Sequence, residues 1–289
     1  MKIIIINGLL LLVFSQGINA AELKLSHQWP STTGDLRHEM AKIIQTELKE
    51  SGSGLELVIF PKEKQKIRPW QQWSAMKSGV IDMSIYPLAY AGPSYPVFNL
   101  TLMPGIIKNH PHAKRFNNSR PMRYIKKVMN KAGIVVISDL WLAGGMVSSK
   151  QCIEQPKDVQ GLWMRAAGVS YNQMLKHAGA KISSMPSSKI RENMLENELD
   201  GAITSSASLI SYKIYEATTC LIAPAESAIW FMYEPILISK KRFNLLTKIQ
   251  QDVLLKAGKK AEQFGYQEAV KVDKKLIDVF ENKGKDITI

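Results

Sequence analysis

The residue best placed to do chemistry in this sequence is Arg165, which ends the segment 162–165. Residues 158–161 are typical of a loop, and the segment after them is typical of a short buried strand. A guanidinium group offers a planar fork of donors that matches a carboxylate in a bidentate pair. Because ligands of open α/β sheets bind beyond the carboxyl ends of the strands, Arg165 is predicted to bind a small carboxylate. The alternative is a structural ion pair with a core aspartate.

A second group of polar residues lies at the end of the predicted strand 201–204, where Thr204 is the last residue and Ser205 follows it. The pattern predicts a strand end followed by a helix N-cap, where hydroxyl groups and free amides bind anions. Arg37 and Arg68 lie in the first two predicted loops between strand and helix and are candidates for a further carboxylate. Aromatic residues near loops or strand ends are candidates for the apolar walls of a ligand site. They are Trp29, Trp70, Trp141, Trp230, Phe231 and Tyr233, and Tyr86 is predicted to contact the ligand from the first lobe together with Arg37 and Arg68.

Sequence motifs of the common enzyme classes are absent. There is no Gly-x-Ser-x-Gly elbow, no phosphate-binding loop and no Gly-x-Gly-x-x-Gly after a strand. His110 and His112 have metal-like spacing, but they flank a proline in a predicted loop, so no metal site and no cofactor are predicted. Catalytic groups need not be close in sequence, so an exported enzyme stays the alternative to a binding protein without catalysis.

Residues 1–20 have the composition of a secretory signal peptide. Lys2 precedes an apolar run over residues 3–14, and small and polar residues follow up to Ala20. The run is shorter than the roughly 20 residues that span a bilayer. Cleavage is therefore predicted after Ala20, with the periplasm as the destination. An N-terminal membrane anchor is the alternative.

The composition of the chain is that of a globular protein with a basic surface. Of its 289 residues, 45% are hydrophobic and 22% charged, and the formal net charge is +13. Inside a cell this charge would indicate nucleic acid as a partner. The predicted export removes nucleic acid from reach, so we interpret the charge as a surface property that favours anionic ligands.

Cys152 and Cys220 are the only cysteines of the sequence. An even number of cysteines in an oxidising compartment predicts a disulfide. Two buried free thiols are the alternative. No Cys-x-x-Cys motif and no neighbouring histidine indicates a metal at either position.

Hydrophobic periodicity predicts an α/β fold. Strands and helices alternate over residues 22–86 and again over 162–204, a pattern typical of parallel sheets with helices on their faces. Extended segments join the two units, and helical spacing of apolar residues predicts long helical structure at the C-terminus. We predict two hinged lobes around a central cleft. Lobe I is predicted to hold residues 21–145 plus about 228–258, and lobe II residues 146–227 plus about 259–289.

Several motifs, in order along the chain, resemble one family of transport proteins. These motifs are Ser-His-Gln-Trp-Pro at 26–30, Ser-Gly-Val-Ile-Asp-Met at 78–83, Asp-Val-Gln-Gly-Leu-Trp-Met-Arg at 158–165, Ala-Gly-Ala at 178–180, Met-Pro at 185–186, Glu-Leu-Asp-Gly at 198–201 and Lys-Ile-Tyr-Glu at 213–216. The chain resembles the extracytoplasmic solute receptors of tripartite ATP-independent periplasmic (TRAP) transporters, the DctP-like family. The resemblance extends over nearly the whole chain after residue 20.

The resemblance implies a two-lobed periplasmic binding protein with a long C-terminal helix, which captures an organic acid and delivers it to the membrane subunits of a TRAP permease. The signature arginine of the family holds the ligand carboxylate, and this role carries over to Arg165. Thr204 lies near the position of a family asparagine. A periplasmic ligand sensor is the alternative to transport, and a monomer that binds no nucleic acid is predicted.

The resemblance also bears on the class of ligand. Many family members carry a second arginine in the region that here spans residues 141–146, and this sequence has none there. A single carboxylate anchor with aromatic neighbours predicts a monocarboxylate with an apolar or aromatic body. A C4-dicarboxylate, with its second carboxylate on Arg37 or Arg68, is the alternative.

Overall fold

The computed structural model describes residues 21–224 and 227–288. The predicted signal peptide, residues 1–20, lies outside the described residues. The strands are β1 (Ala21–Ser26), β2 (Leu55–Phe60), β3 (Met83–Ile85), β4 (Ile134–Ser138), β5 (Trp141–Ser148), β6 (Trp163–Arg165), β7 (Lys181–Ser183), β8 (Gly201–Ser205), β9 (Cys220–Ile222), β10 (Trp230–Tyr233), β11 (Ile236–Ser239) and β12 (Asp286–Thr288).

The α-helices flank these strands. They are α1 (Leu36–Glu50), α2 (Gln72–Ser78), α3 (His110–Phe116), α4 (Arg120–Lys131), α5 (Val169–His177), α6 (Ile190–Leu195), α7 (Ser206–Ser211), α8 (Lys240–Leu245) and α9 (Lys248–Glu281). Short 3-10 helices are found at Pro69–Gln71, Leu88–Ala91, Pro96–Leu102, Pro156–Val159, Ser187–Lys189 and Ile214–Ala217.

The strands form two sheets. The first has the order β2-β1-β3-β11-β4, with β1 parallel to β2 and β3 and with β11 antiparallel to both of its neighbours. The second has the order β12-β9-β5-β8-β6-β7, with β10 paired to β5. Within it β6 is parallel to β7 and β8, whereas β5 is antiparallel to β8, β9 and β10. The predicted α/β fold is confirmed, but both sheets also contain antiparallel strands, which the predicted parallel pattern did not include.

The start, the buried face and the end of helix α1 all follow from its sequence. Asp35 is its N-cap and accepts a hydrogen bond from the backbone N–H of Arg37. Apolar residues recur on one face of the helix and are buried. The helix ends before Gly52, which has a φ of 64°, a conformation that favours glycine. The residues of its buried face are Leu36, Met40, Ala41, Ile44 and Leu48.

The chain passes between the two sheets three times, once through α8 and α9, which lead from β11 to β12, and twice through short segments that lie next to each other. Residues 139–140 lead from β4 of the first sheet to β5 of the second, and residues 234–235 lead back from β10 to β11. The backbone N–H of Glu234 donates to the carbonyl of Leu140 at 2.9 Å, so the two passages lie side by side. Both are short, which makes them the natural place for a hinge.

Helix α9 packs against both sheets. It contacts β4 of the first sheet and β5 and β12 of the second. Thr247 and Gln250 form a capping box at its start. At Gly258 a Cβ atom would lie 2.2 Å from the carbonyl oxygen of Ile137, so only glycine allows this close approach of helix and strand. The predicted long C-terminal helix is confirmed.

A disulfide joins Cys152 to Cys220 in the second sheet region, with 5.3 Å between their Cα atoms. This confirms the predicted pair. The predicted lobe boundaries stay a prediction, and β5, which starts at Trp141, extends across the boundary placed at residue 145. No helix in the described ranges combines the length and the apolar character that crossing a membrane requires.

Candidate functional site

Arg165 lies at the end of β6, between β7 and β8, with 1% of its surface exposed. Its Nε donates to the carbonyl of Met185 at 3.0 Å and its Nη1 to the carbonyl of Ile203 at 2.9 Å. Its Nη2 lies 3.4 Å from the hydroxyl of Tyr90. Burial lowers the pKa of the Arg165 guanidinium, and the neighbouring Tyr90 opposes this shift. Strand β6 fixes the backbone of Arg165, and the carbonyl groups of Met185 and Ile203 fix the orientation of its guanidinium group.

The partners of Arg165 among the described residues are all neutral. No carboxylate of residues 21–224 or 227–288 forms an ion pair with it. Glu234 is near enough to attract Arg165, but it forms its ion pair with Arg37, so a bound anion would offset more of the cost of burying this charge. The predicted alternative, a structural ion pair with a core aspartate, is therefore not what the structure shows.

A pocket of about 520 Å³ lies near Arg165, which is not itself one of its lining residues. Tyr90 and Met185, which hold the guanidinium, both line it. The Oδ1 atom of Asn172, another lining residue, is buried and has no hydrogen-bond partner within the described part of the chain. One wall comes from the first half of the chain, and the other follows β6 and β7. The lining residues are Trp70, Ala89, Tyr90, Pro93, Ala166, Ala167, Gly168, Val169, Asn172, Ser184, Met185 and Pro186.

Arg37 is buried close by, but its donors are occupied. Its Nη2 lies 2.6 Å from Asp35 and its Nη1 lies 3.0 Å from Glu234. Nη1 also contacts the hydroxyl groups of Ser205 and Ser208 at 3.4 and 3.2 Å. The guanidinium stacks on the ring of Trp29, 3.9 Å from its centroid. The structure thus brings Arg37 and Ser205 together, in a network that two carboxylates already neutralise.

The pKa shifts of this network show which carboxylate is the firmer partner. Burial opposes the charge of Arg37, but Asp35 and Glu234 outweigh it and raise the pKa of the guanidinium. Burial also opposes the charge of Asp35, yet Arg37 holds the pKa of that carboxyl below its ordinary value. For Glu234 burial prevails and raises the pKa, against the attraction of Arg37. Arg37 and Asp35 form the stronger pair, because their two contacts are bidentate.

Thr204 and Trp230 are brought together on either side of Gly144. A Cβ at Gly144 would lie 2.1 Å from the carbonyl oxygen of Thr204 and 2.7 Å from the Trp230 ring, so glycine is required there. Both residues are buried. The indole nitrogen of Trp230 has no hydrogen-bond partner among the described residues. Thr204 directly follows Ile203, whose carbonyl accepts from Arg165.

The remaining predicted site residues are spread over the fold. Tyr86 is buried and its ring meets that of Tyr90 edge to face, so it supports the Arg165 pocket from behind. Arg68 is exposed before the 3-10 helix Pro69–Gln71 and makes no side-chain hydrogen bond there. Trp141 donates to Asn117 at 2.6 Å and lines a separate pocket between α3 and α9.

Sequence reasoning missed Tyr90, Glu234 and the acceptor role of Met185. Glu234 carried a signal, since it is a lone acidic residue between the apolar segments of β10 and β11. Tyr90 and Met185 carried none, because Tyr90 accepts through its hydroxyl from within a 3-10 helix and Met185 contributes only its backbone carbonyl.

The comparisons with known proteins identify one family. The family model of bacterial extracellular solute-binding protein, family 7 (DctP) matches residues 25–289. A solute-binding protein of Albidiferax ferrireducens is 33% identical over 280 residues, which cover 96% of this chain and 82% of that protein. The 2,3-diketo-L-gulonate-binding periplasmic protein YiaO of Escherichia coli is 24% identical over 280 residues, covering 94% and 82%.

Among solved structures, a TRAP periplasmic solute-binding protein from Rhodoferax ferrireducens with bound malonate superimposes with a TM-score of 0.88. Its sequence is 33% identical, and the match covers 92% of this chain and 86% of that one. The fold and the extent of the family match place the protein among the two-lobed solute-binding proteins. The chain belongs to the bacterial extracellular solute-binding proteins of family 7.

Proposed function

We propose that the protein is a periplasmic receptor that captures a small organic acid and delivers it to the membrane subunits of a TRAP permease. The observation that carries this proposal is the buried Arg165, which forms no ion pair with a carboxylate of the described residues and is held by Tyr90 and Met185, two residues that line an open pocket. A ligand carboxylate would accept hydrogen bonds from the guanidinium N–H groups that the described residues leave unused. The membership of the solute-binding family supports the role in transport.

The ligand that fits this site best is a monocarboxylate. Arg37 already binds two carboxylates, and releasing it would leave buried charges unpaired. Arg68 is exposed and does not line the pocket beside Arg165. The body of the ligand would lie against Tyr90 and offer a donor to the unpaired Oδ1 of Asn172. An acid with a hydroxyl group or an amide N–H near its carboxylate meets both requirements.

A short dicarboxylate is the second candidate. The Rhodoferax ferrireducens relative holds malonate in its crystal structure. Its overall similarity to this chain makes a comparable ligand the natural competitor of the monocarboxylate. In that case the second carboxylate would have to be bound by neutral donors, since Arg37 is taken.

The protein would act in this role as a monomer and without catalysis of its own. An exported enzyme on the same scaffold and a ligand sensor are the competing functions. Turnover of an organic acid by the pure protein would indicate the enzyme. A permease gene beside its own gene would favour transport over sensing.

The proposal is tested by native mass spectrometry of freshly purified protein, followed by a thermal-shift screen of organic acids. We expect a retained small acid, or a rise in melting temperature with a subset of carboxylates. A ligand at 100 times its Kd adds about 2.7 kcal/mol of stability. If amines, neutral sugars or no compound at all shifted the melting temperature, the assignment as an organic-acid receptor would be wrong. A shift with dicarboxylates only would select the second candidate.

A further inference from the structure

The positive charge of the chain is concentrated in one segment. Residues 83–138 contain no aspartate and no glutamate but eight lysines and arginines, so this segment carries +8 of the formal net charge of +13. The basic residues are Lys108, Lys114, Arg115, Arg120, Arg123, Lys126, Lys127 and Lys131.

Helix α4 arranges half of these residues in one exposed stripe. It buries Met122, Ile125 and Met129 and packs against β4 of the first sheet. The opposite side exposes basic residues spaced by three and four positions, which places them on one helical face. The stripe is about 17 Å long at 1.5 Å per residue. We refer to Arg120, Arg123, Tyr124, Lys127 and Lys131 as the α4 stripe.

Folding does not account for the charges of the α4 stripe. None of its four basic side chains forms an ion pair with a carboxylate of the described residues, whereas Lys126 beside it pairs with Asp139 at 2.6 Å. Arg120 and Arg123 stand in the first turn, where a positive charge is unfavourable next to the positive end of the helix dipole. Four like charges on neighbouring turns also repel one another. An external anion would offset these costs.

Tyr124 indicates what kind of anion this is. It lies in the middle of the stripe with 59% of its surface exposed. Tyrosine is enriched at membrane interfaces, where its ring reaches the level of the headgroups and its hydroxyl stays in water. Lysine and arginine around it are attracted to anionic headgroups. A row of basic residues about a central tyrosine fits an extended anionic surface better than a small ion.

We propose that the α4 stripe binds the surface of a membrane that contains anionic phospholipids. The first sheet would then face the bilayer through α4, while Arg165 of the second sheet stays free to bind ligand. Binding of this kind is electrostatic and weakens with salt, because the Debye length is about 10 Å at 0.1 M ionic strength. It would keep the receptor near the membrane without inserting it.

The test is cosedimentation of the processed protein with lipid vesicles. Vesicles of phosphatidylcholine and phosphatidylglycerol should bind the protein, and vesicles of phosphatidylcholine alone should not. The variant Arg120→Gln/Arg123→Gln/Lys127→Gln should bind on the order of 100-fold more weakly, since each basic residue near such a surface contributes about 1 kcal/mol. Adding Tyr124→Ser to this triple variant should weaken binding to the vesicles further, although it does not change the charge of the protein.

A matched control separates the stripe from the general charge of the protein. Lys256, Lys274 and Lys275 are exposed on α9 and form no ion pair with the described residues, so their triple change to glutamine removes the same charge elsewhere. We expect this variant to bind the anionic vesicles almost as well as the wild type. Equal losses in both triple variants, or no binding of the wild type, would overturn the proposal. Binding to native membrane vesicles that protease treatment abolishes would instead identify an acidic protein as the partner.

Discussion

Asp35, Arg37, Arg165 and Glu234 are all buried, but the two carboxylates are not divided evenly between the two arginines. Asp35 and Glu234 both pair with Arg37, which leaves Arg165 with neutral partners among the described residues. Arg37 binds Asp35, Glu234 and two serines at the start of α7. It therefore links the N-terminus of α1 to the segment between β10 and β11 and to α7. Of the two buried arginines, only Arg165 forms no ion pair among the described residues, so it is the one that can bind a ligand carboxylate.

Replacing Arg37 should therefore affect stability. Arg37→Ala leaves Asp35 and Glu234 buried without their oppositely charged partner, so we expect a loss of about 3–5 kcal/mol in the free energy of unfolding. Arg68→Ala removes an arginine that is exposed, and should change it by less than about 0.5 kcal/mol. Urea unfolding followed by circular dichroism measures both. A similar small effect in both variants would mean that the buried network contributes little.

His27 should make the protein sensitive to acid. Burial lowers the pKa of His27 from 6.5 to about 3, against the attraction of Asp35, and its Nε2 lies 3.0 Å from Nδ1 of His38. Since the folded pKa lies below the unfolded value, the contribution of His27 is fully present above pH 6.5 and is lost as the pH falls towards 3. The expected slope is about 1.4 kcal/mol per pH unit.

The measurement is the free energy of unfolding in urea between pH 7 and pH 5, for the wild type and for His27→Gln. In the wild type the backbone N–H of Trp29 donates to Nδ1 of His27. Glutamine does not titrate, and its side-chain oxygen can accept the same hydrogen bond. The variant should lose less stability than the wild type over this range. Parallel curves would show that His27 is not the group responsible.

Part of this site is predictable from the sequence. The position of Arg165 at a strand end follows from local hydrophobic pattern, and β6 ends at that residue. The pairing of Arg37 with Glu234 does not follow, because 197 positions separate the two residues and only the return of the chain through the hinge brings them together. Backbone acceptors such as Met185 leave no trace in residue type at all.

At the scale of elements, the periodicity of the sequence predicts most strands and helices but not where one sheet gives way to the other. Residues 134–149 read as one extended stretch, which the structure divides between β4 of the first sheet and β5 of the second. Both parts are apolar because both are buried. We propose that the lobes change at residues 139–140 and 234–235, where the chain passes between the sheets.

The disulfide should stabilise the second sheet region. Cys152 and Cys220 are 68 positions apart, and closing a loop of this length in the unfolded chain contributes about 4 kcal/mol in the chain-entropy model. The double variant Cys152→Ser/Cys220→Ser should unfold at a correspondingly lower denaturant concentration. Reductant should shift the wild type towards the variant and leave the variant unchanged. Two thiols that react with iodoacetamide in the unreduced, denatured wild type would contradict the bond.

At the scale of the whole molecule, few side-chain contacts close the cleft. The hydroxyl of Tyr212 donates to the carbonyl of Gln28 at 2.5 Å, Arg37 reaches Ser208 at 3.2 Å, and Arg165 reaches Tyr90 at 3.4 Å. Each joins residues of the first sheet region to residues of the second. A ligand held between the same regions would add to them and favour the closed state.

Small-angle X-ray scattering with and without ligand tests this closure. We expect a smaller radius of gyration at saturating ligand, because only the closed state makes contacts to the ligand from both regions. Tyr212→Phe, which removes one of the bridging hydrogen bonds, should enlarge the ligand-free radius or leave it unchanged, but the ligand should still reduce it. A radius that saturation does not alter would indicate a preformed site.

The overall class of the protein was predictable because it rests on motifs spread over the whole chain, whereas the ligand was not. Recognition of the ligand body depends on a pocket whose two walls are distant in sequence, such as Tyr90 and Asn172. Trp141, predicted as a wall, lines a different pocket. Aromatic residue type indicates burial but not which pocket a ring faces.

Arg165 is expected to bind the carboxylate of the ligand, and calorimetric titration of the acid found by the screen tests this role most directly. Arg165→Ala should lose about 2–5 kcal/mol of binding free energy, roughly 30- to several-thousand-fold in affinity. Arg165→Lys should also bind poorly, since a point charge does not replace the fork. Arg68→Ala, with its exposed side chain, should bind like the wild type. Wild-type affinity in a folded Arg165→Ala protein would contradict the account.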